Sequence, residues 1–504
     1  MSGRETRSFW QAERELKLFP PLSHNQEADI CIIGAGISGL TAAYLLSKEG
    51  KSVVVLDDGP IGGGQTVRTT GHLTNTLDDR YYHLENYFGE KNTKRIAESH
   101  RAAIDLIESL VKKHQIECEF EHVKAYLFVP PNESTDVLKK ELKAARNAGL
   151  KDVGFVDRSP IHSFDTGLSL CFPHQAQFSP LPYLEKLCEC IKEQGGKIYC
   201  KTHAEQVVAQ KPGYRVSTDQ KHSVSAKHVI YAANAFTGSR LLPHTKQAPY
   251  RTYVIAGEIP RGSVVKAIYY DTLDPYHYIR ICHLDAHKDL LIVGGEDHRT
   301  AEKRDIRSIY EKLKKWTFIR FPMLKEIKYH WSGQVIEPVD SIAFIGRLKK
   351  NEEEYLITGD SGNGLTHGTL GAILICDLIM GRANPWEEIY DPHRITFKTA
   401  GEFVQENCNT FWQYRDWFKK GEVKSEKEIK NNCGAVVCEG LKKMACYRDS
   451  EGKVHKVSAK CPHLGALVRW NESEHCWECP AHGSRFDTNG QVLQGPSNGN
   501  LQKD

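Results

Sequence analysis

Long apolar runs, charge of one sign and a leader-like start are all missing from this 504-residue chain. No uninterrupted apolar stretch approaches the ~18 residues of a membrane-crossing helix, so no membrane span is expected. Basic and acidic residues number 67 and 64, a net charge of +3. That balance offers no broad positive field, and neither nucleic acid nor an anionic lipid surface is expected as a partner. The opening Met1-Ser-Gly-Arg-Glu-Thr-Arg has neither an apolar signal core nor a twin-arginine pair, which points to a cytoplasmic location. The 15 cysteines are an odd, scattered set. Most, such as Cys31 and Cys376, sit in apolar runs and read as reduced core thiols. The length exceeds what one hydrophobic core supports, so two or three domains are expected.

Two cysteines stand apart. Cys461-Pro-His463-Leu-Gly is followed by Cys479-Pro-Ala-His482-Gly-Ser-Arg-Phe-Asp. Two Cys/His pairs on Gly-containing loops suit a [2Fe–2S] cluster with thiolates on one iron and imidazoles on the other. Imidazoles leave their iron electron-poor and raise the potential to roughly −150 to +300 mV. A tetrahedral zinc site is the alternative for the same four residues, although the Cys-x-His spacing and the Gly-Ser-x-Phe-Asp tail are foreign to it.

The segment resembles the Rieske family. The resemblance implies Cys461 and Cys479 on one iron, His463 and His482 on the other, and Ser484 donating to a cluster sulfur. Quinol-oxidising Rieske proteins also join the two loops by a disulfide. Ala466 and Ala481 occupy those positions here. Loops held by packing and backbone hydrogen bonds are therefore expected, with the Gly495-Pro496 turn closing over them, as in a soluble electron carrier.

The other signal lies near the start. Asp29-Ile-Cys-Ile-Ile33 reads as a buried strand, Gly34-Ala-Gly36-Ile-Ser-Gly39 as a turn, residues 40–48 as a helix and residues 52–56 as a second strand. Gly34 permits the tight turn, Gly36 lets backbone N–H groups reach a pyrophosphate, and Gly39 lets helix and strand pack closely. Asp57, 23 residues after Gly34, sits where an acidic side chain accepts hydrogen bonds from a ribose. The pattern is that of a dinucleotide site.

The stretch Ile61-Gly-Gly-Gly-Gln-Thr-Val-Arg68-Thr69-Thr70-Gly71-His72 resembles the D-amino-acid oxidase/glycine oxidase family of FAD enzymes. So does Tyr355-Leu-Ile-Thr-Gly359-Asp-Ser-Gly362-Asn-Gly364-Leu-Thr366-His367-Gly, a strand, glycine turn and helix start whose donors would face the flavin's pyrimidine edge. The block Trp331-Ser-Gly-Gln-Val fits the same family. The resemblance implies FAD contacts at Arg68, Thr69, Thr70, Gly359, Gly362, Gly364 and Thr366. Arg68 stands where some covalently flavinylated relatives carry His or Cys, which implies non-covalent FAD; attachment through His72 is the alternative. Tyr278 and Arg280 fall where amino-acid-oxidising members place an aromatic and a carboxylate-clamping arginine; a surface arginine on a strand edge is the alternative reading.

Between these blocks, residues 81–113 show amphipathic helical periodicity, and residues 196–231 read as a strand meander returning to the flavin sheet. Residues 253–296 read as an antiparallel substrate sheet. Phe403, Val404, Cys408, Phe411, Tyr414 and Phe418 recur at helical spacing, so a helix is expected there.

The expected fold is α/β: a Rossmann-like FAD-binding domain with an antiparallel-sheet substrate domain, glycine-oxidase-like, plus a small all-β Rieske domain. The expected division is an N-terminal segment 1–24, the flavin unit 25–395, a helical linker 396–426 and the Rieske domain 427–504. The two cofactors differ in electron number. A substrate C–H beside an amine gives two electrons as hydride to the flavin, whereas the cluster takes one at a time. The expected function is oxidation of a small amine or amino acid by FAD, with single electrons passing to the cluster and an external one-electron carrier. Dehydrogenase is favoured over oxidase, since oxygen needs no wire. The alternatives are an electron-transfer module and a reductase or monooxygenase with the flow reversed.

Overall fold

In the computed structural model the described residues are 6–235, 246–301, 306–394, 421–440, 442–472 and 474–503. The helix expected around residues 403–418 lies outside them. No helix among the described residues is long and apolar enough to cross a membrane.

The strand Gln26–Ile33 is the centre of an eight-stranded sheet. Val53–Leu56 and then Lys197–Tyr199 lie on one side of it, and Ser223–Tyr231, Glu354–Thr358 and Phe344–Arg347 on the other. The first four of these pairings are parallel, and the edge pair Glu354–Thr358 with Phe344–Arg347 is antiparallel. Continuous apolar runs such as Val53-Val-Val-Leu56, buried at every position, are what a parallel strand covered on both faces requires. One face carries the helices Ile37–Lys48, Gly364–Ile379 and Tyr81–His114. The meander Ala204–Ala209 and Tyr214–Thr218 returns the chain to Ser223–Tyr231.

A nine-stranded second sheet runs from Tyr329–Pro338 through Gln247–Pro260, Lys288–Arg299, His277–His283, Ile268–Asp271 and Glu121–Phe128 to Ser169–Gln177. Its strands over residues 253–296 pair antiparallel, as expected, while Ile268–Asp271 also pairs in parallel with Glu121–Phe128, because the chain leaves and re-enters the sheet through the helical and meander segments between them. The helix Ile306–Arg320 covers its outer face.

The C-terminal unit is all β. Cys433–Glu439, Lys442–Arg448 and Val454–Ser458 form one antiparallel sheet. Arg469–Asn471, Cys476–Glu478, Arg485–Phe486 and Val492–Gln494 form another. Val436, Val457, Val468, Trp477 and Phe486 fill its core.

Candidate active site and cluster loops

Two helix N-termini converge on one cleft. Ile37–Lys48 begins after Gly36 and Gly364–Ile379 after Asn363, and neither cap residue satisfies the first amides with a side chain. Those N–H groups and the positive helix ends suit the diphosphate and ring oxygens of a dinucleotide. The cleft, about 2180 Å³ with its open mouth included, is lined by Gly34, Gly36, Asp57, Arg68, Thr69, Thr70, Gly359, Gly362 and Gly364, all expected cofactor contacts. Gly34 has φ of 114°, and a Cβ there would press on Ala232 O at 2.6 Å. Asp57 accepts from the amides of Ala35 at 2.6 Å and Gly59 at 2.8 Å. Burial, with Asp58 alongside, pushes its carboxyl up to about 7.

His72 and His367 also face the cleft, and the buried Nε2 of each has no partner within the protein. Nδ1–H of His367 donates to Asp360 O at 2.8 Å, leaving Nε2 as a bare acceptor. Burial lowers His367 to about 4 and, with Arg280 nearby, His72 to about 3, so both rings are neutral. Helix N-termini, glycine cradles and orphaned polar atoms together fit FAD.

Gly39 has the packing role expected of it, whereas Thr366, an expected contact, sits elsewhere. Gly39 does not line the cleft; a Cβ there would overlap Gly34 O, so its role is to let helix and strand touch. Thr366 lies behind the cleft, hydrogen-bonded to His100 Nδ1 at 2.9 Å.

Thr74, Asp78, Thr252, Tyr270, Tyr276 and Tyr278 also line the cleft. Tyr278, an expected site residue, lines it with its hydroxyl 2.8 Å from Thr252 Oγ1. Arg280 does not line it. Its Nη1 donates to Thr70 O at 2.5 Å and Phe178 O at 3.1 Å, and its guanidinium lies 5.3 Å from the Trp10 ring centroid. The strand puts Arg280 on the same face as Tyr278, but the loop carbonyls reach it first. It is a support for the Thr70-Gly71 loop, not the carboxylate clamp that was expected. Arg68 is the only arginine or lysine among the described lining residues, and its Nη1 donates to Ser332 O at 2.9 Å.

Asp78 was not singled out in the sequence. Tyr276 OH donates to its Oδ2 at 3.2 Å. Burial raises Asp78 to about 7, opposed by Arg80 and reinforced by Asp79.

In the C-terminal unit Cys461 and Cys479 meet thiol to thiol. The Cys461 thiol is held below its ordinary range by the Cys479 contact, by the amides of His463 and Leu464, and by the Ser484 hydroxyl. The amides of Ala481 and His482 turn toward Cys479. These are donors that a bound cluster's sulfurs would keep. The His463 and His482 rings pack edge to face, 5.0 Å apart. Among the described residues no three His, Cys, Asp or Glu side chains surround a single point closely enough for one metal ion. Two cysteines together and two histidines together fit two irons with two protein ligands each, and do not fit four-ligand zinc.

The loops are pinned without a disulfide: the 14 described cysteines are all free. Cys461 N donates to Ala466 O at 2.9 Å, Gly465 N to Cys461 O at 3.0 Å, Cys479 N to Ser484 O at 2.8 Å and Gly483 N to Cys479 O at 2.9 Å. Ala466 and Ala481 are buried in the core. Beyond the Gly495-Pro496 turn, Ser497 N donates to Ser484 Oγ at 3.0 Å. Leu493, Gln494 and Gly495 line the same cleft as Gly34 and Gly364.

The family model of FAD dependent oxidoreductases (DAO) matches residues 29–378, and that of the Rieske [2Fe-2S] domain matches residues 419–503. The chain belongs to the DAO family. It is an FAD-dependent oxidoreductase that carries a Rieske [2Fe-2S] domain. The Rieske 2Fe-2S iron-sulfur protein YhfW of Bacillus subtilis is 31% identical over 496 residues, covering 97% of this chain and 96% of that protein. Gamma-glutamylputrescine oxidoreductase of Escherichia coli is 27% identical over 389 residues, covering 74% of this chain and 89% of that one. Glycine oxidase of Geobacillus kaustophilus shares the fold with a TM-score of 0.62 at 17% identity, over 74% of this chain and 100% of its own.

Proposed function

We propose that the protein is a dehydrogenase for a small amine, whose electrons leave singly through the Rieske domain to an external one-electron carrier. The observation that carries this reading is the shared wall: Gln494 and Gly495, three residues or fewer from the Ser497 that tethers Ser484, border the cleft that suits FAD. FAD would be held by Gly34, Gly36, Asp57, Thr69, Thr70, Gly359, Gly362 and Gly364, and the cluster by Cys461, His463, Cys479 and His482. Bound there, FAD supplies a hydride acceptor and the cluster a one-electron carrier.

The chain's own part is binding and proton handling. An amine enters as the ammonium ion and cannot lose hydride until it is neutral. Asp78 Oδ2, in a carboxyl that titrates near 7, attracts the ammonium and takes its proton. Tyr270, Tyr276 and Tyr278 present rings to the cation and keep water out. With Arg68 and Arg280 both engaged by backbone carbonyls, the lining supports an amine over an amino acid. The relative named for gamma-glutamylputrescine points the same way.

Anaerobic mixing with a panel of amines tests the reading. Flavin bleaching followed by cluster reduction is expected. Bleaching only by reduced pyridine nucleotide would mean reversed flow, and none with any amine would leave an electron-transfer module.

A further inference from the structure

The C-terminal unit touches the flavin unit through a buried ionic layer. Arg251, on the strand Gln247–Pro260, places Nη2 2.8 Å from Glu478 Oε1, with both side chains no more than 3% exposed. Its Nη1 donates to Ser332 Oγ at 2.9 Å, and Ser332 Oγ donates onward to Glu474 Oε1 at 2.6 Å. Glu474 also meets Arg68 at 3.6 Å, and Arg485 of its own unit at 2.9 Å. Arg485 closes the ring at 3.3 Å from Glu478. Each carboxylate is thus shared between a guanidinium of the flavin unit and one of the Rieske unit. These neighbours hold Glu474 far below the ordinary carboxylate range despite its burial.

A second contact lies beside this layer. Gln334 lines the flavin cleft, donates its backbone N–H to Gln65 Oε1 at 2.7 Å, and donates from Nε2 to Gly483 O at 3.0 Å. Gln494 donates to Gln334 Oε1. Gly483 leaves no room for a side chain, since a Cβ would overlap Gln334 Nε2 and come within 2.8 Å of Pro249. Glu478 immediately precedes Cys479 and Gly483 immediately follows His482, so the two contacts grip both ends of one ligand loop. The other ligand loop has Pro462 and Leu464 exposed.

We propose that the Rieske unit is a fixed relay and not a moving carrier, with Arg251 and Gln334 as positioning residues that hold the Cys479–His482 loop against the flavin cleft. The inference rests on the reading that FAD and the cluster occupy these two sites. In the transfer it positions, a reduced flavin bound in the cleft would give up one electron, its proton passing to solvent as oxidation is completed, and one ferric iron would become ferrous. The second electron follows once the first has passed to the external one-electron carrier.

The test uses the full chain with both cofactors, reduced by light with deazaflavin and EDTA under argon. The rate of cluster reduction by flavin is expected to stay within about twofold as glycerol raises the viscosity about fivefold, because no domain has to travel. A rate falling in proportion to viscosity would overturn the fixed relay. Arg251→Met keeps the bulk and removes the charge. It is expected to make backbone amides 479–484 exchange roughly tenfold faster and the transfer viscosity-dependent, with Arg251→Lys in between. Wild-type exchange and viscosity independence in Arg251→Met would overturn the role of Arg251. If that variant does not fold, the wild-type viscosity series still decides. Iron and FAD counted per chain beforehand separate the two ideas: a missing cofactor sinks the underlying reading, whereas viscosity dependence with both present sinks only the relay.

Discussion

Asp78→Asn gives a sharp test of the amine reading. In the free enzyme Asp78 titrates near 7, raised by burial and by Asp79, and lowered by Arg80 and the Tyr276 hydroxyl. A raised carboxyl pKa means the neutral acid dominates below 7 and the carboxylate above it. An ammonium gains only from the carboxylate, so productive binding strengthens as pH rises through 7. The ionised fraction is about one tenth at pH 6 and about nine tenths at pH 8, while an alkylammonium with pKa near 10 stays protonated throughout. The kcat/KM for an amine, read from anaerobic flavin bleaching, should therefore climb roughly tenfold between pH 6 and 8 and then level. In Asp78→Asn the climb should disappear and the plateau fall by about 100-fold, the size of a lost general base. Asp79 and Asp297 are raised to about 6 and about 7, so the variant is what isolates Asp78. A wild-type slope in Asp78→Asn, or a flat wild-type profile, would refute the assignment.

Gly39→Ala puts a methyl into Gly34 O and must push the helix off the strand. FAD affinity, measured by flavin fluorescence, should fall at least roughly tenfold, about 1.4 kcal/mol, while the cluster spectrum survives; full FAD retention would contradict the packing role. Ser484→Ala removes a donor to the Cys461 sulfur. One hydrogen bond of about 1 kcal/mol corresponds to roughly 40 mV for one electron, and a potentiometric titration should show the cluster's potential lower by that order. The cluster spectrum should persist under strong thiol reductant, since no disulfide joins the loops among the free cysteines; prompt bleaching would mean a hidden bridge.

What could be read from the chain was local. Strand, glycine turn, helix and second strand at residues 29–56 follow one another directly, and each residue's neighbours in sequence are its neighbours in space. The same holds for the two Cys/His loops. Pairings across hundreds of residues were not legible. Asp78 gains its meaning from Tyr276, 198 positions away, and Arg251 from Glu478, and no spacing rule links either pair. Arg280 shows the limit from the other side. Strand alternation put it beside Tyr278 correctly, yet its partners, Thr70 O and Phe178 O, come from segments whose docking no periodicity reveals. The mixed second sheet is a similar case, since only the docked chain shows that Glu121–Phe128 joins Ile268–Asp271 in parallel.

Leu493, Gln494 and Gly495 form part of the wall around the flavin cleft. They come later in the chain than every other residue that lines that cleft. A chain cut ahead of residue 419 would therefore lose the iron–sulfur module and also leave the nucleotide's pocket open on one flank, so that a defect in one prosthetic group would surface as a loss of both.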